Sequence, residues 1–410
     1  MRIFILLLIL LAFDYYVFQA FRLISDNWSS TAKIILTVVY WSLPLLAIAL
    51  MIVPVANPAP GWFKQLYSLL RAIVFIAYFS KLLIAGLLFI DDLRRLTMVA
   101  VESWNGQAMV NNSRSRFLIN FGLALGSIPF VSLTYGMLFN QYRFKVHNQK
   151  LAISGLPDAL KGLRIVQISD IHSGSFTFRE PIQKAIDRIN ALSPDLVFFT
   201  GDLVNNVASE MRPYVDIFKQ IKSKHGVYSV LGNHDYGDYV QWPDHKTKQQ
   251  NLSNLKATHQ ELGWDLLLNE NRMVSINGEK VAVLGVENYS AHARFPKYGD
   301  LKTAYAGTEQ AGLKLLLSHD PSHWKDQIIQ QFKDIAITFS GHTHGMQFGV
   351  EIPGWFKWSP IQYVYKEWAG LYQQENQFLY VNRGFGFLGY PGRVGILPEI
   401  TLLELQPELS

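Results

Sequence analysis

Five short polar runs carry most of the side chains that could do chemistry in this chain. They are Ser169-Asp170-Ile171-His172, Gly201-Asp202-Leu203-Val204-Asn205, Gly232-Asn233-His234-Asp235, His319-Asp320 and Gly341-His342-Thr343-His344-Gly345. Together they offer carboxylates, imidazoles and an amide, ligand types that suit divalent cations. A site that processes a phosphate anion with two such cations needs a bridging carboxylate, imidazoles and further oxygen ligands around each ion, with room for water. The cations would acidify a shared water, clamp the phosphoryl oxygens and stabilise the attacking and leaving oxygens of an in-line displacement. His234, beside Asn233, could then protonate the leaving oxygen. Singly, each run has an ordinary reading: Asp-x-His is usually a satisfied surface pair, and a lone histidine is usually structural. Five in one order, each closing an apolar run, have few such explanations.

Regular elements must hold these runs in place. From residue 163 onward, short apolar runs alternate with amphipathic stretches, which predicts strands at 163–169, 196–200, 227–231, 281–286, 313–318 and 335–340. Helices are expected at 181–192, 211–221, 252–262 and 324–332, with Pro181 suited to a first helical turn. The pattern is α/β. In such sheets ligands gather outside the carboxyl ends of the strands, so residues far apart in sequence can converge on one rim. The glycines before Asp202, Asn233 and His342 fit tight turns there.

Residues 1–140 are poor in charge and hold four apolar stretches, 3–21, 34–53, 69–90 and 117–139, each long enough to cross a hydrocarbon core of roughly 30 Å. Arg2 ahead of the first would suit a cleaved signal peptide. The run continues past Asp14 into Tyr15, Tyr16, Val17 and Phe18 with no small-x-small site, which favours a retained anchor. Lys81 lies inside the third stretch; apart from it the spans are nearly bare of polar residues, which argues against a transporter. Residues 141–161 read as a linker and 162–410 as the catalytic domain. Basic residues on the two sides of the spans nearly balance, and the run Arg143, Lys145, Lys150 after the last one points to a multi-pass cell-membrane protein with a cytoplasmic catalytic domain. The net charge of +5 over 410 residues contains no block of like charges, so no nucleic-acid partner is expected. The absence of cysteine excludes disulfides and thiolate metal sites.

The five runs resemble, in kind and order, the blocks of the calcineurin-like metallophosphoesterase superfamily: Asp-x-His, Gly-Asp-x-x-Asn, Gly-Asn-His-Asp/Glu, His and Gly-His-x-His. The match extends from Gly162 to the C-terminus. Leu163-Arg164-Ile165-Val166, Asn382-Arg383-Gly384 and Pro398-Glu399-Ile400 are similar to the bacterial membrane-associated branch. Met346 departs from that branch, which often has a second glycine there, and this bears on the shape of the loop. The resemblance implies a four-layer α/β sandwich, two mixed β-sheets flanked by helices, preceded by an all-α transmembrane region. It implies a hydrolase of phosphate mono- or diesters with two divalent metal ions of the Mn²⁺, Fe²⁺/³⁺ or Zn²⁺ kind. Asp170, His172 and His344 would hold the first ion, Asp202 would bridge, and Asn233, His319 and His342 would complete the second site. His234 would be the general acid or transition-state stabiliser, oriented by Asp235, and Asn205 would stand behind the ligands or on the substrate side.

His292 and Arg294 follow the strand that ends near Glu287, in a loop able to reach the rim and contact phosphate, and Arg383 and Arg393 are further candidates. His147, His225, His245, His259 and His323 read as exposed or structural. Between 349 and 370 the chain is rich in aromatics, including Trp355, Phe356, Trp358, Tyr363, Tyr365 and Trp368, with Lys357 and Lys366 among them. That mixture suits a membrane interface or the cover of a sheet. With the catalytic domain tethered to several spans, the lipid bilayer is the expected partner and a lipid-linked phosphate ester the expected substrate. The competing readings are a nuclease or nucleotide phosphodiesterase of the same fold, and a non-catalytic membrane scaffold or sensor, which would be expected to have lost ligands.

Overall fold

A computed structural model describes residues 2–52, 61–105, 114–352 and 354–408. The chain divides into two compact units, Met1–Tyr135 and Gly136–Ser410.

The first unit contains helices α1 (Arg2–Ile24), α2 (Ser30–Ile52), α3 (Gly61–Trp104) and α4 (Arg116–Tyr135). Large apolar side chains such as Phe4, Ile34, Val38, Leu45 and Phe117 are exposed on them, as befits helices whose outer surface meets lipid. Val53, the expected end of the second span, lies outside the described residues. α3 outruns its expected end at 90. The charges that close its apolar run, Asp91, Asp92, Arg94 and Arg95, pair one turn apart and continue the helix, Arg94 to Asp91 at 2.9 Å and Arg95 to Asp92 at 3.2 Å. Inside, Val17, Ala20, Ile84, Leu88 and Ile119 pack together. Gly126 lets α4 approach α3 closely, since a Cβ there would stand 2.6 Å from Ile84 Cγ1. Lys81 is not isolated: its Nζ donates to Asp14 Oδ1 at 2.6 Å, and the Tyr78 hydroxyl donates to Asp14 Oδ2 at 2.6 Å. The hydroxyl of Tyr40 donates to the backbone carbonyl of Asp14 at 2.7 Å. The spans therefore hold a buried ion pair, formed between residues 67 positions apart, that apolar patterning does not reveal.

In chain order the strands of the second unit are β1 (Lys145–Ile153), β2 (Arg164–Ile168), β3 (Leu196–Phe199), β4 (Val227–Ser229), β5 (Asp265–Leu266), β6 (Glu270–Ile276), β7 (Glu279–Gly285), β8 (Leu313–Leu317), β9 (Ile337–Ser340), β10 (Val350–Ile352), β11 (Phe356–Trp358), β12 (Gly370–Gln374), β13 (Gln377–Val381) and β14 (Glu399–Pro407). One mixed sheet has the order β1-β14-β2-β3-β4-β5 and a second β12-β13-β9-β8-β7-β6, while β10 and β11 pair only with each other. Segment 141–161 is thus not a plain linker. It carries β1, which runs parallel to β14 from Lys145 opposite Glu399 to Ile153 opposite Pro407.

The layering follows from side-chain alternation. In β3, Val197 and Phe199 face a core shared with Ile182, Ile186 and Ile189 of the helix Arg179–Ala191. Leu196 and Phe198 face the opposite core, where they meet Val283, Leu315 and Phe339 of the second sheet. The far side of that sheet packs Leu284 and Leu316 against Leu301, Trp324 and Ile328. Helices, sheet, sheet and helices make the four layers. A strand buried on both faces must read as a continuous apolar run, which is why Leu-Val-Phe-Phe is legible in the sequence. Each such side chain contributes about 1.5–3 kcal/mol on burial.

Candidate metal centre

The polar runs follow the ends of β2, β3 and β4 in the first sheet and of β8 and β9 in the second. Asp170, His172, Asp202, Asn233, His319 and His344 are buried, and His342 is half-buried. The ligand atoms of Asp170, His172 and His344 all lie within 4.8 Å of one another, as do those of Asp170, Asp202 and His319. Asp202 Oδ2 stands 3.5 Å from His172 Nε2 and 3.3 Å from His319 Nε2, between the two groups. Asn233 Oδ1 lies 2.8 Å from His342 Nδ1 and 3.2 Å from His319 Nε2. The fold therefore brings together all seven residues expected to hold metal.

The backbone is bent sharply to do this. Asp170, His172, Asp202, His342 and His344 all have left-handed φ, between 45° and 71°. Such a conformation costs a residue with a Cβ roughly 1–2 kcal/mol and persists where the surroundings hold it. Glycine at 232 and 341 is required for space, because a Cβ at either would collide with the carboxylate of Asp202 or Asp170. Met346 has φ 54° as well, which explains why glycine suits that position in the branch this chain resembles.

The positions of the protons decide whether these residues fit cations. His319 Nδ1 lies 2.7 Å from the carbonyl of Thr200 and must donate to it, so in the neutral ring Nε2 bears a lone pair. The hydroxyl of Tyr365 donates to Asp320 Oδ2 at 3.1 Å and accepts from His342 Nε2–H at 2.9 Å, which leaves a lone pair on Nδ1. Asn233 Nδ2 donates to the Tyr239 hydroxyl at 2.8 Å, turning Oδ1 inward. Three lone pairs then face one another, His342 Nδ1 lying 3.2 Å from His319 Nε2, with the carboxylate of Asp202 beside them. Neutral donors cannot satisfy that arrangement; a proton or a cation can. Without a metal the proton is drawn in: burial works against charge on His319, but Asp202 and Asp170 push its pKa up to about 10. Burial pushes Asp170 up to about 6, and holds His172 down at about 3 and His342 at about 4. The chemistry of the donor set fits divalent cations.

The expected role of Asp235 is corrected. It does not touch the His234 ring; its carboxylate accepts backbone N–H bonds from Gly232 and Asp202, both at 2.9 Å, and from Leu203 at 2.9 Å. Its work is to fasten the loops of Asp202 and Asn233 together. Burial, with Asp202 nearby, pushes its pKa up to about 7 against the pull of those amides. What orients His234 is Asn205, through its backbone carbonyl, 2.7 Å from His234 Nδ1. The Asn205 amide instead donates to Ser175 Oγ at 2.9 Å. His234 also donates its own backbone N–H to Asp202 Oδ1 at 2.9 Å.

The loop of His292 and Arg294 does reach the centre. The His292 ring lies 4.7 Å from that of Tyr365, and Phe295 lies 4.8 Å from His342 with the Arg294 guanidinium 4.5 Å from its ring. Arg294 is exposed and has no carboxylate partner among the described residues. Arg383 is not available to a substrate, being buried between Glu399 at 2.6 Å and Glu351 at 2.5 Å. Arg393 is buried too, its guanidinium bound to the carbonyls of Arg383, Gly384 and Gly386 and 3.4 Å from His344 Nδ1. Tyr365 and Tyr239 join the centre without a sequence signal for that role. Asp320 had a signal, its position directly after His319; the two tyrosines lie in loops whose pattern says nothing of their partners.

Residues 1–141 match the family described as "Probable Calcineurin-like phosphoesterase, transmembrane domain", and residues 163–346 match "Calcineurin-like phosphoesterase". The chain is similar to a "Transmembrane protein with metallophosphoesterase domain" of Danio rerio, 30% identical over 357 residues, covering 85% of this chain and 74% of the relative. A protein of the same description from Bos taurus is 32% identical over 267 residues, covering 63% and 56%. "Uncharacterized metallophosphoesterase YkuE" of Bacillus subtilis (strain 168) is 25% identical over 276 residues, covering 66% and 89%. The similarity is thus not confined to a bacterial branch.

Proposed function

The chain belongs to the calcineurin-like metallophosphoesterases with a four-helix transmembrane region, and from that premise we propose that it hydrolyses a phosphate mono- or diester at the candidate metal centre, with a lipid-linked ester as substrate. The observation that carries the reading is the set of facing lone pairs on His319, His342 and Asn233 beside Asp202. When bound, two divalent cations supply positive charge for the phosphoryl oxygens and bring the pKa of water toward neutrality. Asp170, His172 and His344 would hold one cation and Asn233, His319 and His342 the other, with the Asp202 carboxylate available to both. His234 has Nδ1–H fixed on the Asn205 carbonyl, so Nε2 is the nitrogen that passes a proton to the leaving oxygen. Arg294, exposed beside Phe295, is positioned to meet a phosphate oxygen.

Lipid linkage is supported by the spans and by the exposed rings of Trp355, Phe356 and Tyr363. A cytoplasmic position for the second unit is supported by Arg143, Lys145 and Lys150 after the last span. The test is metal analysis of the purified chain together with turnover of lipid phosphates, soluble monoesters and soluble diesters. Asp202→Ala is expected to lose metal, and His234→Ala to keep it while slowing turnover by roughly 10²–10⁴-fold. A chain that takes up no divalent metal and turns over none of these esters would falsify the assignment, and activity confined to soluble diesters would end the lipid-linked part alone.

A further inference from the structure

The hairpin β10–β11 has its faces reversed with respect to an ordinary surface hairpin. Its register sets Val350 opposite Trp358, Glu351 opposite Lys357 and Ile352 opposite Phe356. Because side chains alternate, the four apolar residues share one face and the two charges the other. The charged face is satisfied within the unit, although Lys357 keeps part of its side chain exposed: Glu351 accepts from Arg383 at 2.5 Å, and Lys357 Nζ donates to the carbonyl of Ala369 at 2.7 Å and to the Tyr372 hydroxyl at 3.0 Å. Three of the four apolar residues are left outward, while Trp358 is half-buried beside Phe348. Val350, Ile352 and Phe356 are between 44% and 48% exposed, Trp355 in the turn is 80% exposed, and Tyr363 in the next short helix is 77% exposed.

The base of this hairpin is fastened to the end of an apolar helix. The fourth candidate span is Arg116–Asn140, and its last turn, the π-helix Gly136–Asn140, belongs to the second unit. Within that unit Asn140 Nδ2 donates to the carbonyl of Arg393 at 3.1 Å, and the Arg393 N–H donates to the carbonyl of Gly136 at 3.2 Å. The next residue, Val394, accepts from the Gly349 N–H at 2.9 Å and pairs with Phe348, and β10 begins at Val350. Leu138 and Phe139 in the turn are themselves exposed. An outward apolar hairpin is thus one short set of bonds away from the point where a membrane-spanning helix ends.

We infer that β10–β11, with Tyr363 and Val364, docks on the lipid bilayer that carries the spans, its apolar face at the boundary between headgroups and acyl chains. Continuity with the span end selects this occupant, and Trp, Tyr and Phe beside the exposed Lys366 are the residue types of a membrane interface. Tyr365 follows Val364 directly and bonds to Asp320 and His342, so the docked segment runs straight into the candidate metal centre. Docking deepens the lipid-linked reading but does not depend on hydrolysis, and its test is independent of activity.

The chain has no cysteine, so single cysteines can be labelled without background. Trp355→Cys and Tyr363→Cys would each carry an environment-sensitive fluorophore in the full chain, reconstituted at one copy per nanodisc of phosphatidylcholine and phosphatidylglycerol. Lys184→Cys, at an exposed position of the helix Arg179–Ala191, is the reference. Nitroxide-bearing lipid is expected to quench the labels at 355 and 363 several-fold more than the one at 184, and a water-soluble quencher to do the reverse. Labels at 355 and 363 that behave like the one at 184 would overturn the inference. Protection that appears only when two copies share a disc would overturn it too, by assigning the face to a second copy of this chain.

Discussion

Replacing Gly201 by alanine tests how tightly the loops of the centre are built. Gly201 has φ 99°, and a Cβ there would stand 2.6 Å from the Gly232 nitrogen and 2.8 Å from His319 Nδ1. Real Cβ contacts stay beyond 3.0 Å, so the Gly232 backbone must retreat by about 0.4 Å and the His319 ring by about 0.2 Å, whereas metal–ligand distances tolerate only about 0.2 Å. The first obstacle is backbone leading into Asn233 and the second is the ring held on Thr200, so neither can swing aside freely. Overpacking of this kind costs about 1–3 kcal/mol of stability, and the positive φ adds to it. A misplacement approaching 1 Å costs about 10²-fold in rate. Gly201→Ala is therefore expected to lower Mn²⁺ affinity in calorimetric titration at least tenfold, and turnover with it, while circular dichroism stays native. A folded variant with unchanged affinity for both cations would show instead that the loops are compliant.

Tyr365→Phe removes the hydroxyl that holds His342, and cation affinity is expected to fall about 10–100-fold without loss of fold; unchanged affinity by calorimetry counts against the proton accounting. Burial works against the charge of Glu399, but Arg383 holds its pKa down at about 2. That contributes about 3 kcal/mol, present above pH 4.5 and lost as pH falls through 2. The stability gap between wild type and Glu399→Gln should accordingly narrow between pH 5 and pH 2.5 in thermal unfolding, and a gap independent of pH contradicts the pairing. In the first unit, Lys81→Met strands the buried Asp14 and should cost about 3–5 kcal/mol in detergent, whereas Lys81→Met with Asp14→Leu should recover much of it; equal losses would mean that the ion pair is not what matters there.

The residues around the centre were legible because each ligand closes a strand buried on both faces, so an apolar run stops abruptly at a polar residue. Where position depends on a distant partner, local pattern was silent. β1 buries only Leu151 and Ile153, near its end, and owes its existence to β14, some 250 residues later, and Asp14 and Lys81 meet across two helices. Asp235 misled because adjacency to His234 suggested contact, while the turn Asn233–Tyr236 points the carboxylate back into amides. Tyr365 sits among aromatics that divide into two fates. Tyr365 and Trp368 are buried against Ile396, whereas Trp355 and Tyr363 face outward, and composition alone cannot assign which ring goes where.

Seven side chains from five strand ends are proposed to hold a pair of divalent cations. The decisive experiment is metal content per chain, measured on the purified 410-residue chain after equilibration with Mn²⁺, with Asp202→Ala measured in parallel. Two cations are expected per wild-type chain, with tight binding at both sites lost in the variant. A wild-type chain that retains no cation, or a variant that retains both, would contradict it.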